Sequence, residues 1–188
     1  MKLSPLQLGP VVYTEVSVRA IPEIDRELRE DNLPVTVDSQ IFYDEDGSHF
    51  AMLTVKQADD SYPYVVKVTA FATFTLDKDG CKAAYRNHFN PAVIGVNIAR
   101  LLYSTAREMI VNLTERGPYD AAKIPTLILE PADIEISFSE EKEEAILKDQ
   151  FDLTEEQLQA LKNKSLPIEQ ATLTSTNKSK ARTKIAKT

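Results

Sequence analysis

The 188-residue chain has no tryptophan, one cysteine, two histidines and five glycines. Each shortage closes off a class of chemistry. A lone cysteine, Cys81, allows no internal disulfide and no multi-cysteine metal site. Five scattered glycines leave no glycine-rich phosphate loop. Two separated histidines and scattered acids show no metal-ligand spacing, so neither metal nor cofactor is expected. No run reaches 18 apolar residues, and the opening "MKLSPLQLGPVVYTE" lacks the apolar core of a signal peptide. These features predict a cytoplasmic protein without membrane insertion. A net charge of −7 makes nucleic acid an improbable partner for the folded body.

The residues that could do chemistry are few. His49 adjoins the acidic turn "DEDGS" and is expected to be solvated. Cys81 and His88 fall in one loop, and a cysteine–histidine nucleophile pair there is conceivable, but no family signature surrounds it. Asp44, Glu45 and Asp46 read as a turn, and Arg107–Glu108 in mid-helix as a structural ion pair. The chain is therefore read as a surface rather than a reaction centre, and not as an enzyme.

What is abundant is periodicity. "VVYTEVSVRA", residues 11–20, alternates with β-branched residues and is closed by Pro22. "IPEIDRELREDNLP" places Ile21, Ile24 and Leu28 at helical spacing in a charged connection. Two apolar runs flank Asp46–Gly47, a strong hairpin signal. In "YPYVVKVTAFATFTL" the even positions from Tyr62 to Leu76 are all apolar, which predicts a long strand with one buried face. Taken in order, these strands predict an antiparallel meander. Then come a loop, "CKAAYRNHFNP", and a helix from Pro91 to Arg116 capped by Asn90. Gly117 is read as its left-handed terminator.

Between Ala92 and Leu113, 14 of 22 residues are apolar. The arc from Ile98 to Leu113 covers nearly half the circumference, against the ~100° needed to pack one core. Leu101 and Val111 intrude on the polar side. This breadth predicts a helix that covers its own sheet and a second subunit. Beyond it, Ser139 is a plausible helix cap, Thr154 and Gln157 form a capping box, and residues 172–188 are basic and free of acids.

Together "YSTAREMIVNLTERGPY" and "IPTLILEPADI" resemble the helix and exit segment of SecB-type export chaperones. The resemblance lies in Ala106, Arg107 and Glu108, in Arg116 and Gly117, in Tyr119, and in Leu129 to Pro131. The opening strand, with Tyr13, Thr14 and Pro22, is similar too, so the likeness spans roughly residues 8–136. It implies an α+β fold: a four-stranded antiparallel sheet packed by a long helix, assembled as a dimer of dimers. It also implies an ATP-independent holdase that binds unfolded or precursor polypeptides and supports export. Client contacts would come from Ile21, Ile24, Leu28, Phe42, Tyr43, Leu101 and Val111. The family docks the motor SecA through acidic residues on the sheet. Glu15 fits one such position, but Arg19 and Lys67 stand where further acids are expected.

The domains expected are 1–138 for the chaperone fold, 139–171 for a helical extension and 172–188 for a disordered tail. Two other readings stand beside the exporter. One is a SecB-like chaperone dedicated to a single partner, such as an antitoxin or phage product. The other is a hot-dog-type enzyme with His88 and Asp77 or Asp79 as its acid–base groups.

Overall fold

The computed structural model describes residues 3–22, 32–58, 62–139 and 142–159. Six strands form one sheet: β1 (Leu6–Leu8), β2 (Val12–Ala20), β3 (Val35–Tyr43), β4 (His49–Gln57), β5 (Tyr64–Leu76) and β6 (Ile134–Phe138). Helices α1 (Lys78–Tyr85), α2 (Pro91–Thr114) and α3 (Glu143–Phe151) accompany them, and residues 155–159 are helical as well. The class is α+β, as expected, but the sheet is six-stranded and mixed rather than four-stranded and antiparallel.

The pairing order explains the difference. β3, β4 and β5 form the expected meander, with Gly47 at φ 82° in the turn between β3 and β4. Only glycine adopts that value without steric cost. β2, however, pairs with β5 and not with β3, so the four long strands make a Greek key. β1 and β2 share the same edge of β5, β1 opposite Leu76 to Phe74 and β2 opposite Phe71 to Tyr64. β6 adds a parallel strand to the far edge of β3. Parallel pairing required a return crossover, which α2 supplies.

β5 follows its period-two pattern. Tyr64, Val66, Val68, Ala70, Ala72 and Phe74 are buried, while Lys67, Thr73 and Thr75 are exposed. α2 lies across this inner face. Its Asn90 side chain accepts from the Val93 amide at 3.0 Å, and Pro91 takes the first helical position. The stretch before it, expected as a loop, contains α1, capped by Asp77 accepting from the Gly80 amide.

The helix ends at Thr114 rather than Arg116. Gly117 does not have the left-handed φ expected of a terminator. Its lack of a side chain matters for space instead: a Cβ there would lie 2.4 Å from the Tyr64 hydroxyl oxygen. That hydroxyl bridges the helix end to the exit segment, 3.1 Å from the carbonyls of Thr114 and Tyr119.

α2 does not need a second subunit to hide its broad apolar arc. Ile94, Ile98, Ala99, Leu102, Ala106 and Ile110 are buried within this chain. One side meets the sheet; the other is covered by residues 119–130, an irregular strap laid along the helix. Tyr103 donates to the Pro125 carbonyl at 2.7 Å, Arg100 to the Leu129 carbonyl at 3.0 Å, and Arg107 to the Thr126 hydroxyl at 3.3 Å. Ala122, Ile124 and Leu129 are buried beneath it.

Residues 142–159 share this core, through Ile146, Leu147, Phe151 and Leu158. α3 begins at Glu143, with no side-chain cap and without Ser139, whose carbonyl accepts from the Lys142 amide. The Thr154–Gln157 box is present, with the Thr154 amide 2.9 Å from the Gln157 carbonyl oxygen. The expected tail, residues 172–188, lies outside the described residues, as do residues 160–171.

Candidate functional site

Strand periodicity that buries one set of side chains presents the other set on the outer face. There the register brings Val12 opposite Phe71, Phe71 opposite Met52, and Phe50 opposite Phe42. The rings of Phe42 and Phe50 stack at 4.6 Å with planes 16° apart, and Phe71 lies 5.7 Å from Phe50. Phe50 is 38% exposed and Val12 53%. No helix of the described chain covers these residues. The result is an apolar, aromatic patch on an otherwise polar face. Such a patch is the mark of an interaction site more than of folding.

The rest of that face is polar and carries two ion pairs. Glu15 pairs with Lys67 at 2.8 Å, and Asp38 with Lys56 at 3.0 Å. Gln40 donates to Glu135 at 3.0 Å, and the Thr54 and Thr69 hydroxyls meet at 3.0 Å. Glu15, the residue matched to SecA docking, thus has a lysine directly beside it.

A second feature adjoins the patch. Among the described residues β2 forms an end of the sheet, paired on one side only. An edge strand of nine residues presents unpaired amides and carbonyls to a further strand. Val16 on it is 44% exposed, and Tyr13 reaches inward to donate to the Thr105 carbonyl of α2 at 3.0 Å. Sequence reasoning missed Val12, Phe50, Met52 and Phe71 as a group; Val16, opposite buried Val68 beyond the bulge after Tyr13, belongs to the other face. The alternation was legible, but only the pairing register places these four strand residues together.

The expected client contacts distribute unevenly. Phe42 lies in the patch, half-buried. Leu101 is 47% exposed on α2, and Val111 is half-buried against the core. Ile21 is half-buried and anchored by its backbone: its amide donates to the Pro63 carbonyl and its carbonyl accepts from Tyr119 at 2.6 Å. Tyr43 corrects the expectation of a surface contact. It is fully buried and donates to the Pro91 carbonyl at 2.7 Å, and burial pushes its hydroxyl pKa far up. Ile24 and Leu28 lie outside the described residues.

The candidates for chemistry are dispersed too. His49, expected in solvent, is buried against Tyr43 and Phe74, and its Nδ1 accepts from the Asp44 amide at 3.1 Å. Burial lowers its pKa, while Asp44 and Asp46 oppose that shift. Cys81 is fully buried, and burial together with Asp77 pushes its thiol pKa up, the direction opposite to nucleophilic activation. His88 is exposed, Asp77 serves as the cap of α1, and Asp79 lies in that helix's first turn. Among the described residues no group of three or more His, Cys, Asp or Glu could hold a metal ion, and no helix is long and apolar enough to cross a membrane.

The residues that carry the SecB resemblance fasten the strap. Ala106 is buried under it, Arg107 reaches Thr126, Tyr119 links Tyr64 to Ile21, and Leu129 accepts from Arg100. No family model and no curated protein matches this chain. Among solved structures, a protein of unknown function from Streptococcus agalactiae is 16% identical, with a TM-score of 0.40, covering 64% of this chain and 97% of that one. The Mycobacterium tuberculosis SecB-like chaperone Rv1957, in complex with a ChAD peptide from the Rv1956 HigA1 antitoxin, is 13% identical, with a TM-score of 0.41. It covers 66% of this chain and 91% of that one. A likeness of this degree decides neither family nor function.

Proposed function

We propose that this protein is a SecB-like chaperone that holds non-native polypeptide without nucleotide. The observation that carries the reading is the open patch of Val12, Phe42, Phe50, Met52 and Phe71 beside an unpaired strand edge. Unfolded clients expose two things: apolar side chains and unpaired backbone. The patch shields the first, and β2 hydrogen-bonds the second by strand addition. Neither act requires a catalytic group.

The paired acids of the outer face favour a dedicated partner over SecA. With Glu15 held by Lys67 and Asp38 by Lys56, two of the acids on this face are compensated, which weakens the electrostatic docking that SecA needs. Purified SecA should therefore show no salt-sensitive association with this protein, and binding that falls steeply with added salt would restore the export reading.

Self-association is part of the same proposal. If two copies pair through β2 in antiparallel fashion about Ser17, Glu15 of each copy faces Arg19 of the other, and Val16 faces Val18. Opposite charges directly across a strand pair are stabilising. A dimer of dimers would have four times the 21.1 kDa mass of the chain. Sedimentation at micromolar concentration measures this, and a monomer throughout would refute the assembly.

The decisive test is an aggregation assay with a chemically unfolded substrate and no nucleotide. The wild type should suppress aggregation at a few-fold excess, and Phe50→Ser should lose most of that effect while remaining folded. Undiminished aggregation with the wild type overturns the function.

A further inference from the structure

We infer that the end of the molecule beneath α3 is a pocket for an aromatic side chain of another polypeptide, filled in this chain by its own Phe151. The inference rests on the polypeptide-binding reading and adds to it a subsite separate from the outer patch. Phe151 is buried edge-on to Tyr43, with ring centres 5.2 Å apart and planes at 90°, and lies 5.2 Å from Phe89. Tyr43 in turn contacts Phe74 and Phe138. The two rings that touch Phe151 belong to β3 and the turn before α2, and those that back Tyr43 to β5 and β6, so every wall of the cup comes from outside α3.

The residues flanking Phe151 are held by groups of the same body. Before it, the Gln150 amide nitrogen donates to the carbonyls of Asp44 and Glu45, at 2.7 and 3.3 Å. After it, the Asp152 carboxylate pairs with Lys78 at 2.5 Å and with Lys82. Asp152 has φ 52° and ψ 35°, a left-handed bend that an aspartate tolerates at a helix end. Amide, aromatic ring and carboxylate therefore occupy three receptors in consecutive order. All three lie outside α3, so an incoming segment with the same order meets the same partners.

The Gln150 side chain does not fill this end of the molecule. An open-sided cavity of about 230 Å³ runs beside it, lined by Glu45, Asp46, His49, Thr75, Lys78 and Asp149. The ion pairs that tie this segment down, those of Asp152 and the Lys142–Glu45 pair, join side chains 38–49% exposed. Pairs in that setting contribute little each. The segment is thus held chiefly by its apolar residues, and a competing ring can exchange with Phe151. The ligand class is an unstructured peptide bearing an aromatic residue followed by a carboxylate.

The test uses the full-length protein and a fluorescent peptide of residues 145–156, AILKDQFDLTEE, read by anisotropy. Phe151→Ser, which vacates the cup, and Asp152→Asn, which removes the charge facing Lys78 and Lys82 and keeps a residue that tolerates the left-handed bend, should each bind it at least fivefold tighter than wild type. Peptides with Phe151→Ser or Asp152→Lys should lose most of that binding. If both protein variants are folded by circular dichroism and bind no better than wild type, or if the altered peptides bind equally well, the pocket assignment falls. Aggregation suppression by the wild type then reports separately on the chaperone reading, which survives that outcome when suppression persists and fails with it when suppression is absent.

Discussion

On β5, Val66, Val68, Ala70, Ala72 and Phe74 are buried on the inner face, whereas Phe71, one residue away on the same strand, meets Phe50, Met52 and Val12 on an open face. Both faces are rich in apolar side chains, but only one has a cover. The inner face shows what the chain needs in order to fold; the outer face shows what folding leaves unused. A large aromatic is retained in water at a cost in solubility, and the patch is local rather than spread over the sheet. The contrast puts the proposed binding patch on the outer face and the core on the inner one.

Substitutions should separate the two faces. The largest effect is expected from Ile98→Ala, which opens a cavity in the fully buried arc of α2: a loss of about 2–5 kcal/mol in urea denaturation. A loss under about 1 kcal/mol would mean the inner face is not the core. Next is Gly117→Ala, whose Cβ meets the Tyr64 hydroxyl. Overpacking of that kind costs about 1–3 kcal/mol, and the same measurement reads it.

Acid offers an intermediate probe of the inner face. Burial lowers the pKa of His49 in the folded protein, so between that value and about 6.5 the unfolded chain binds more protons. The stability contributed by neutral His49 is therefore complete above about pH 6.5 and is lost as pH falls through the folded value. An NMR titration should place the His49 imidazole below about 6.5; a midpoint at or above it contradicts the burial. On the outer face, Phe50→Ser should cost only ~1–2 kcal/mol, the scale of a partly exposed aromatic contact, while abolishing most client protection. The smallest effect is reserved for Glu15→Gln, which removes one side of an exposed ion pair: ~0–1 kcal/mol by the same denaturation curve.

Much of the scaffold was legible. Period two marked β5, Asp46–Gly47 the hairpin, Asn90–Pro91 the start of α2, and Thr154–Gln157 the last cap, because each is a local arrangement of a few adjacent residues. The loop assigned before α2 was misjudged, since Asp77 caps a short helix whose pattern is too brief to stand out. Tyr43 was placed at the surface because its run alternates only loosely, and nothing nearby signalled α3, over a hundred residues later, closing upon it. The breadth of α2 was read as a need for its own sheet and a second subunit. The second cover is the strap from the same chain, and no periodicity announces an irregular segment.

The alternation of its strands, the caps of its helices and the width of its apolar helix face were determined by the sequence alone, since these depend on neighbours one to four residues apart. Which strands lie side by side, which aromatic residues meet on the outer face, and which of them Phe151 hides were decided only by the tertiary structure. Register and closure join residues tens of positions apart, and their energies exist only once the chain has folded.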